Sequence, residues 1–459
     1  MTTVRRCAAA FAASAVLCGA YAPAAVAGGD VPAPARTSPA PPPSPAPPVP
    51  PAGPVVIPPG LYGDQDPTRD GVRRQALAML GQLVAGVRPA DDAVRWLQGQ
   101  QCADGAFTAY RPDPAVPCDG RTPGDVGVTA TAVQTLSSLG GQGVAMGGAI
   151  GWLRTAQNAD GGWGRAPGAP SDARSISLVI GALTAAGVRP SSVRTHDNAP
   201  HPEGRNAYDA LVRLSVPCGA PSGADAGAFA DHPDGSGRLT ADDGATAAAV
   251  LGGTGKRLVT GPVAAGSTAP SCVDSGPTAT DPTADLPPER AARNGAAYLA
   301  VSLAATGHLD RPPAPGAESA PDVGTTAQAV IALTATGYGD RAARALEWLK
   351  RNSAAWAREN GPAAWAQLIL TAHATGTDPR DFGGIDLVRR LNATGPPPRS
   401  IAPPPAPAAP GTTSAAAATS RYAEWPGLGW IIGSGLAVGA GTVFLLRNRR
   451  KTRPLGESA

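Results

Sequence analysis

The sequence predicts an all-α protein made of repeated helical units, and three observations predict it. The stretch from Ala149 to Trp163, A-I-G-W-L-R-T-A-Q-N-A-D-G-G-W, sets Ile150, Trp152 and Leu153 at helical spacing and ends in an Asp160-Gly161-Gly162 turn. The same grammar returns at Trp96-Leu97-Gln98-Gly99-Gln100-Gln101-Cys102-Ala103-Asp104-Gly105-Ala106-Phe107, with Gln five residues and Asp-Gly eight residues after the Trp. The interval from Trp96 to Trp152 is 56 residues, the scale of a stacked helical unit that cannot bury its apolar face alone.

Each end of such a unit has a chemical reason. Gln157 and Asn158 stand where the last helical turn needs partners for its orphan carbonyls. Asp160 can bond its own turn, glycine permits positive φ, and Trp163 is expected to fold back over the helix end as an apolar lid. A weaker copy runs from Tyr208 through Leu211 and Leu214 to Gly227-Ala228-Phe229, and another begins Leu346-Glu347-Trp348-Leu349 without the Asp-Gly ending.

In chain order, Arg5 and Arg6, an apolar run from Ala8 to Ala20, and Ala25-Val26-Ala27 predict a secretory signal peptide over residues 1–27. Leu17 stands before Cys18 where a lipoprotein site needs a small residue. Residues 28–60 are Pro and Ala with almost no charge, an extended spacer. The repeat domain is expected over 61–394. Its first helix runs from Asp70 to Gly86, with Val72, Ala76, Leu77, Leu80 and Leu83 on one face, and is followed by a helix from Pro89 to Gln101. A second class of helix opens with Asp and is rich in Ala, Thr, Val and Leu: Asp125 to Gly140, Asp172 to Gly187, Asp242 to Gly252 and Asp322 to Gly337. Gly361 to Gly376 joins that class, and Asp381 to Leu391 is expected as a last outer helix, for six inner and six outer helices. Between Gly253 and Pro288 a Gly, Pro, Ser and Thr-rich insertion reads as a long surface loop.

A second Pro/Ala stalk covers 395–424, and the uncharged run from Trp425 to Leu446 is long enough to span the roughly 30 Å hydrocarbon layer. Arg447, Arg449, Arg450, Lys451 and Arg453 then predict a cytoplasmic tail over 447–459, so the protein is exported and single-pass, with an extracellular ectodomain. These five and the two signal arginines hold seven of the 38 Lys+Arg, and Glu457 one of the 35 Asp+Glu, which leaves the ectodomain near −3. The formal +3 therefore reflects targeting, and nucleic acid is not an expected partner.

The W-L-x(3)-Q-N-A-D-G-G-W pattern resembles the repeat of the prenyltransferase and squalene cyclase superfamily. The resemblance covers roughly Asp70 to Thr394, and the chain is also similar to secreted actinobacterial repeat proteins. It implies an α/α toroid of concentric helices. It also implies terpene cyclases, protein prenyltransferase subunits and the helical domain of cobalamin carriers such as intrinsic factor and transcobalamin as functional precedents.

The chemistry those enzymes need is largely missing from the sequence. A protonating cyclase carries D-x-D-D, and the nearest approach is Thr240-Ala241-Asp242-Asp243, where Asp is more simply a helix cap. No D-D-x-x-D, G-x-S-x-G or P-loop motif occurs. The expected inner helices contain a single aromatic residue, Trp365, so they offer few π faces to a carbocation. Zinc is not expected, because Cys102, Cys118, Cys218 and Cys272 sit in predicted loops of an exported domain, where cysteines pair. Three connectivities are possible, and sequential pairing, Cys102 with Cys118 and Cys218 with Cys272, is the expectation. His196 and His201, and the run Asp231-His232-Pro233-Asp234, lack standard ligand spacing.

What remains is a ring of Asp residues, Asp70, Asp125, Asp172, Asp242 and Asp322, opening the inner helices around one mouth. Capping alone explains them. With Arg174, Thr129, Thr326 and Trp365, the ring members Asp125, Asp172 and Asp322 are also the candidate ligand-binding residues. The expected function is a membrane-anchored extracellular module that binds a small polar ligand, a cobalamin-like molecule among them, or a transporter component, without catalysis. A prenyltransferase or terpene cyclase-like enzyme and a structural surface protein are the alternatives.

Overall fold

The computed structural model describes residues 57–195, 203–219, 223–264, 266, 269–274, 286–311 and 318–399. The expected signal peptide, most of the expected first spacer, the second stalk beyond residue 399, and the expected span and tail lie outside them. Among the described residues no helix is long and apolar enough to cross a membrane.

The fold is all-α. Its helices are α1 Gly71–Val84, α2 Asp91–Gly99, α3 Val126–Leu139, α4 Gly143–Thr155, α5 Ala173–Ala185, α6 Ala207–Val212, α7 Asp243–Gly253, α8 Pro288–Thr306, α9 Val323–Ala335, α10 Gly339–Thr375 and α11 Leu387–Asn392. One antiparallel pair, β1 Asp310–Arg311 with β2 Ala320–Pro321, bridges α8 to α9. Helix α10 is two helices joined at Gly361, whose φ of 69° and ψ of −151° break the helical path, and Pro362 starts the second half.

Two kinds of helix follow from two kinds of sequence. The series α1, α3, α5, α7, α9 and the second half of α10 is buried nearly all round, and apart from α1 it is rich in Ala, Thr, Val and Leu. Each member packs on the next, and α10 packs on both α9 and α1, so the order of contacts closes on itself. The remaining helices pack against one or two members of that series: α2 on α1, α4 on α3 and α5, α6 on α5 and α7, α8 on α7 and α9, and α11 on α10 and α1.

The repeat has a fixed joint. Asp125, Asp172, Asp242 and Asp322 cap α3, α5, α7 and α9, each carboxylate accepting from the amide three residues on at 2.7–2.9 Å. The same four residues donate their own N–H to the carbonyls of Phe107, Trp163, Phe229 and Leu309, all buried. At three joints a threonine four residues after the cap closes the contact: the hydroxyls of Thr129, Thr246 and Thr326 accept from the amides of Phe107, Phe229 and Leu309, each at 2.9 Å.

The Asp-Gly turn fixes the spacing between units. Gly105 and Gly161 have φ of 97° and 89°, and a Cβ on either would fall 2.2 and 2.4 Å from the carbonyl oxygens of Gly148 and Asn206 in the next unit. Asp104 and Asp160 accept from the amides of Ala106 and Gly162, as the sequence predicts.

Several expectations need correction. The Gln157 side chain does not bond the carbonyls of its own helix; its amide donates to Gly161 O and Val193 O, and the Asn158 side chain donates to Ala169 O and Ser171 Oγ. A carbonyl near that helix end is instead satisfied by Trp163, whose buried indole Nε1 donates to Leu153 O at 2.7 Å, so the lid is also a polar cap. Asp70 precedes α1 but makes no side-chain cap, because its carboxylate pairs with Arg74 one turn on. The last helix spans only Leu387–Asn392 and is capped by Asp386, while Asp381 belongs to the turn before it. The insertion after Gly253 is not wholly surface: Leu258 and Val259 are half-buried against Leu80, Ile331, Leu370 and Ala374, and Leu258 N donates to Gln134 Oε1.

Both expected disulfides are present, Cys102–Cys118 and Cys218–Cys272. The first closes the loop after α2, and the second joins the segment after α6 to the insertion.

Candidate functional site

A cavity of about 130 Å³ is lined by side chains from all six members of the closed series. Arg73 and Leu77 come from α1, Thr131 from α3, Arg174 and Leu178 from α5, Ala247, Ala248 and Leu251 from α7, Gln328 and Ile331 from α9, and Gln367 and Leu370 from α10. Leu258 of the insertion completes the lining. Polar groups sit toward the amino-terminal ends of these helices and aliphatic side chains further along, because four of them contribute a pair one turn apart: Arg73 and Leu77, Arg174 and Leu178, Gln328 and Ile331, Gln367 and Leu370.

The polar end is partly committed. Arg174 bridges Asp231, at 2.9 Å, and Asp242, tying α5 to the cap of α7. Gln367 donates to Gly324 O at 2.6 Å and ties α10 to α9, and Thr131 donates to Gly127 O within its own helix. Arg73 is exposed, and its guanidinium has no hydrogen-bond or ion-pair partner among the described residues. An apolar pocket with one uncommitted guanidinium and two side-chain amides at its polar end suits a ligand with a short apolar part and a polar or anionic head.

Of the candidate ligand-binding residues named from the sequence, Arg174 alone lines this cavity. Asp125, Asp172 and Asp322 are at the same end of the series but act as caps, and the second carboxylate oxygens of Asp172 and Asp322 accept from Ser175 Oγ and Thr325 Oγ1. Burial pushes the Asp172 carboxyl above its ordinary value, against the pull of the Ser175 hydrogen bonds. Thr129 and Thr326 are fully buried in the joints. Trp365 is buried and lines a different cavity, where the first and last parts of the domain meet.

Nor do the other clusters come together as a metal centre. Among the described residues no group of His, Cys, Asp and Glu is arranged to hold a metal ion, and His196 and His201 lie outside those residues. Asp231 is engaged by Arg174, and Asp234 accepts from the backbone of Ser236 and Arg238 in its own turn. In the Asp242-Asp243 pair, the second carboxylate accepts from Tyr298 Oη at 2.7 Å, and burial pushes its carboxyl up.

Arg73, Gln328 and Gln367 were not singled out in the sequence, although a signal for the lining was there. Counting six residues on from the caps Asp125, Asp172, Asp242 and Asp322 gives Thr131, Leu178, Ala248 and Gln328, and six on from Gly361 gives Gln367. Aligning these five helices on their starts therefore yields one lining residue from each.

No protein-family model matches the chain, and no curated protein matches it. Solved structures do. One is a protein from Actinoplanes, 15% identical, covering 69% of this chain and 93% of its own, with a TM-score of 0.41. A sugar epimerase from a ruminal bacterium is 14% identical, with coverage of 63% and 80% and a TM-score of 0.38. A wild-type glycosidase is 12% identical, with coverage of 66% and 87% and a TM-score of 0.36.

Proposed function

We propose that this chain is an exported, membrane-tethered α/α toroid, related to the prenyltransferase and squalene cyclase repeat proteins, that holds a small ligand at the centre of its helices without transforming it. The observation that carries the reading is the cavity built from all six helices of a series whose contacts close on themselves. Its size supports capture over cyclisation. At about 130 Å³ it falls well below the roughly 300–1,000 Å³ that enclose a drug-sized molecule, so it accepts only the end of a ligand. No aromatic side chain lines it, which leaves nothing to stabilise a carbocation. Two disulfides suit an oxidising compartment.

An enzyme of the cyclase kind is the second reading, favoured by Asp243. A carboxyl that burial beside a second carboxylate raises above its ordinary value is the sort of group that donates a proton. It does not line the central cavity, which weighs against that role.

The test uses the full-length protein in detergent and a panel of short-chain carboxylic acids and their amides, read by thermal shift. Binding should raise the melting temperature of the wild type, and Ala248→Phe, which fills the cavity, should abolish the rise. A shift that survives Ala248→Phe would remove the cavity as the site. Turnover of an isoprenoid diphosphate by the wild type would replace capture by catalysis.

A further inference from the structure

A second cavity, of about 490 Å³, lies where the first and last parts of the domain meet, and nothing in the proposed function uses it. Three arginines line it: Arg74 of α1, Arg358 at the end of the first half of α10, and Arg390 of α11. Arg358 and Arg390 are exposed, and neither guanidinium has an ion-pair or hydrogen-bond partner among the described residues. Arg74 is 3% exposed; its amino groups are held by Asp70 and by Gln65 O, but its Nε is buried with no hydrogen-bond partner. Such an orphaned charged donor is costly to bury unless something else satisfies it.

The same cavity receives a helix start. Gly361 and Pro362 line it, and the second half of α10 begins there. The corresponding positions of α3, α5, α7 and α9 carry a capping Asp; here glycine has no side chain to cap with, and Pro362 after it has no N–H to offer. Arg74 runs past this point, since a Cβ on Gly63 would lie 3.2 Å from the Pro362 ring and 3.4 Å from Arg74 Cδ. Two carboxylates, Asp64 and Asp70, also line the cavity, and Asp70 is neutralised by Arg74 at 3.4 Å. Three guanidiniums against two carboxylates leave the cavity positive.

The geometry points to a binding site for a phosphoryl group at this seam, with Arg358 and Arg390 as its clamps and the uncapped helix start as its floor. Paired guanidiniums and helix-start amides are the donors that phosphate oxygens select. The volume leaves room for more than the phosphate, so the ligand class is a phosphate ester of a small polar molecule.

The experiment titrates full-length protein in detergent with inorganic phosphate, a hexose phosphate, the unphosphorylated hexose and acetate, by calorimetry at matched ionic strength. Phosphate and the hexose phosphate should bind, the ester more tightly, while acetate and the hexose alone should not. Arg358→Gln and Arg390→Gln should each weaken binding about tenfold. Ala393→Glu, which adds a carboxylate to the lining, should abolish it. Arg351→Gln changes the net charge equally from an exposed position outside the cavity and should leave affinity unchanged. Absence of phosphate binding to the wild type would overturn the site, as would equal weakening by Arg351→Gln. Melting temperatures measured without phosphate identify any variant that has lost its fold.

Discussion

The four middle joints of this domain and its seam solve the same packing problem by different means. At α3, α5, α7 and α9 an Asp caps the helix, and its N–H reaches the carbonyl of a buried residue ending the preceding turn. At the seam, α1 and the second half of α10 begin without such a cap. There the chain relies on single-use contacts. Tyr62 Oη donates to Gln82 Oε1 at 2.7 Å, Gln82 Nε2 donates to Asn392 Oδ1 at 2.7 Å, and Gly63 N donates to Thr394 O. Gln75 accepts from Tyr62 N and donates to Gly60 O and Ala93 O. The difference teaches that a repeated joint can be built from local sequence, whereas closing the series needs residues 310 apart to meet.

The largest expected effect tests that closure. Tyr62 is fully buried, and Gly395 lies so close that a Cβ there would fall 2.3 Å from its ring. Replacing Tyr62 by Ala should cost about 3–5 kcal/mol, through the cavity it leaves and the orphaned Gln82 oxygen. Trp163→Ala, a deletion of similar size at a middle joint, should cost about as much. The two should differ in hydrogen exchange. Tyr62→Ala should expose amides of both α1 and α11, and Trp163→Ala only those of its own joint and the next. Urea denaturation with exchange mass spectrometry checks both, and identical exchange maps would erase the distinction between joint and seam.

A smaller effect separates two aspartates that look alike in the sequence. Asp125 is a cap, and Asn caps as well as Asp, so Asp125→Asn should change stability by no more than about 0.5 kcal/mol. Asp70 is not a cap but the partner of a buried arginine, so Asp70→Asn should cost about 1 kcal/mol, and high salt should shrink the difference from wild type. Chemical denaturation at low and high salt decides it. Equal costs for the two changes would mean that Asp70 caps after all.

These contrasts explain what could be read in the sequence. The Asp-led helices and the Asp-Gly turns were legible because each is a local device written several times, with Asp160 bonding its own turn and Gly161 admitting the next unit. The two disulfides were legible as pairs of sequential cysteines, although only Cys102–Cys118 closes a single loop and Cys218–Cys272 encloses α7. Thr129 and Thr326 stood out as polar residues near one mouth, but a residue four positions after the cap faces the preceding turn, and their hydroxyls are spent there. The cavity face lies two residues further on, at Thr131 and Gln328. Arg73, Arg358 and Arg390 escaped notice because they recur in no repeat, and only the closed contacts of α1, α10 and α11 bring the seam arginines together.

The smallest effect concerns Asp243, one residue past the cap of α7. Asp242 serves the repeated joint, whereas Asp243 sits half-buried under the Tyr298 hydroxyl. Burial raises its carboxyl above 3.8; the Tyr298 hydrogen bond opposes this, and the charges of Asp242, Asp322 and Asp310 add to it. A carboxyl whose folded value lies above its unfolded one favours the folded state below the unfolded value. That contribution is lost as pH rises through the folded value. At neutral pH the wild type therefore carries a penalty for ionising Asp243 that an amide would not, while Asn Oδ1 still accepts from Tyr298. Asp243→Asn should raise the melting temperature at pH 7 by about 2 °C, and the gain should vanish as pH falls below about 3.8. Thermal melts across that range give the answer. A gain independent of pH would mean that packing, not ionisation, is what the substitution changes, and a loss at pH 7 would mean that the ionised carboxylate is needed where it stands.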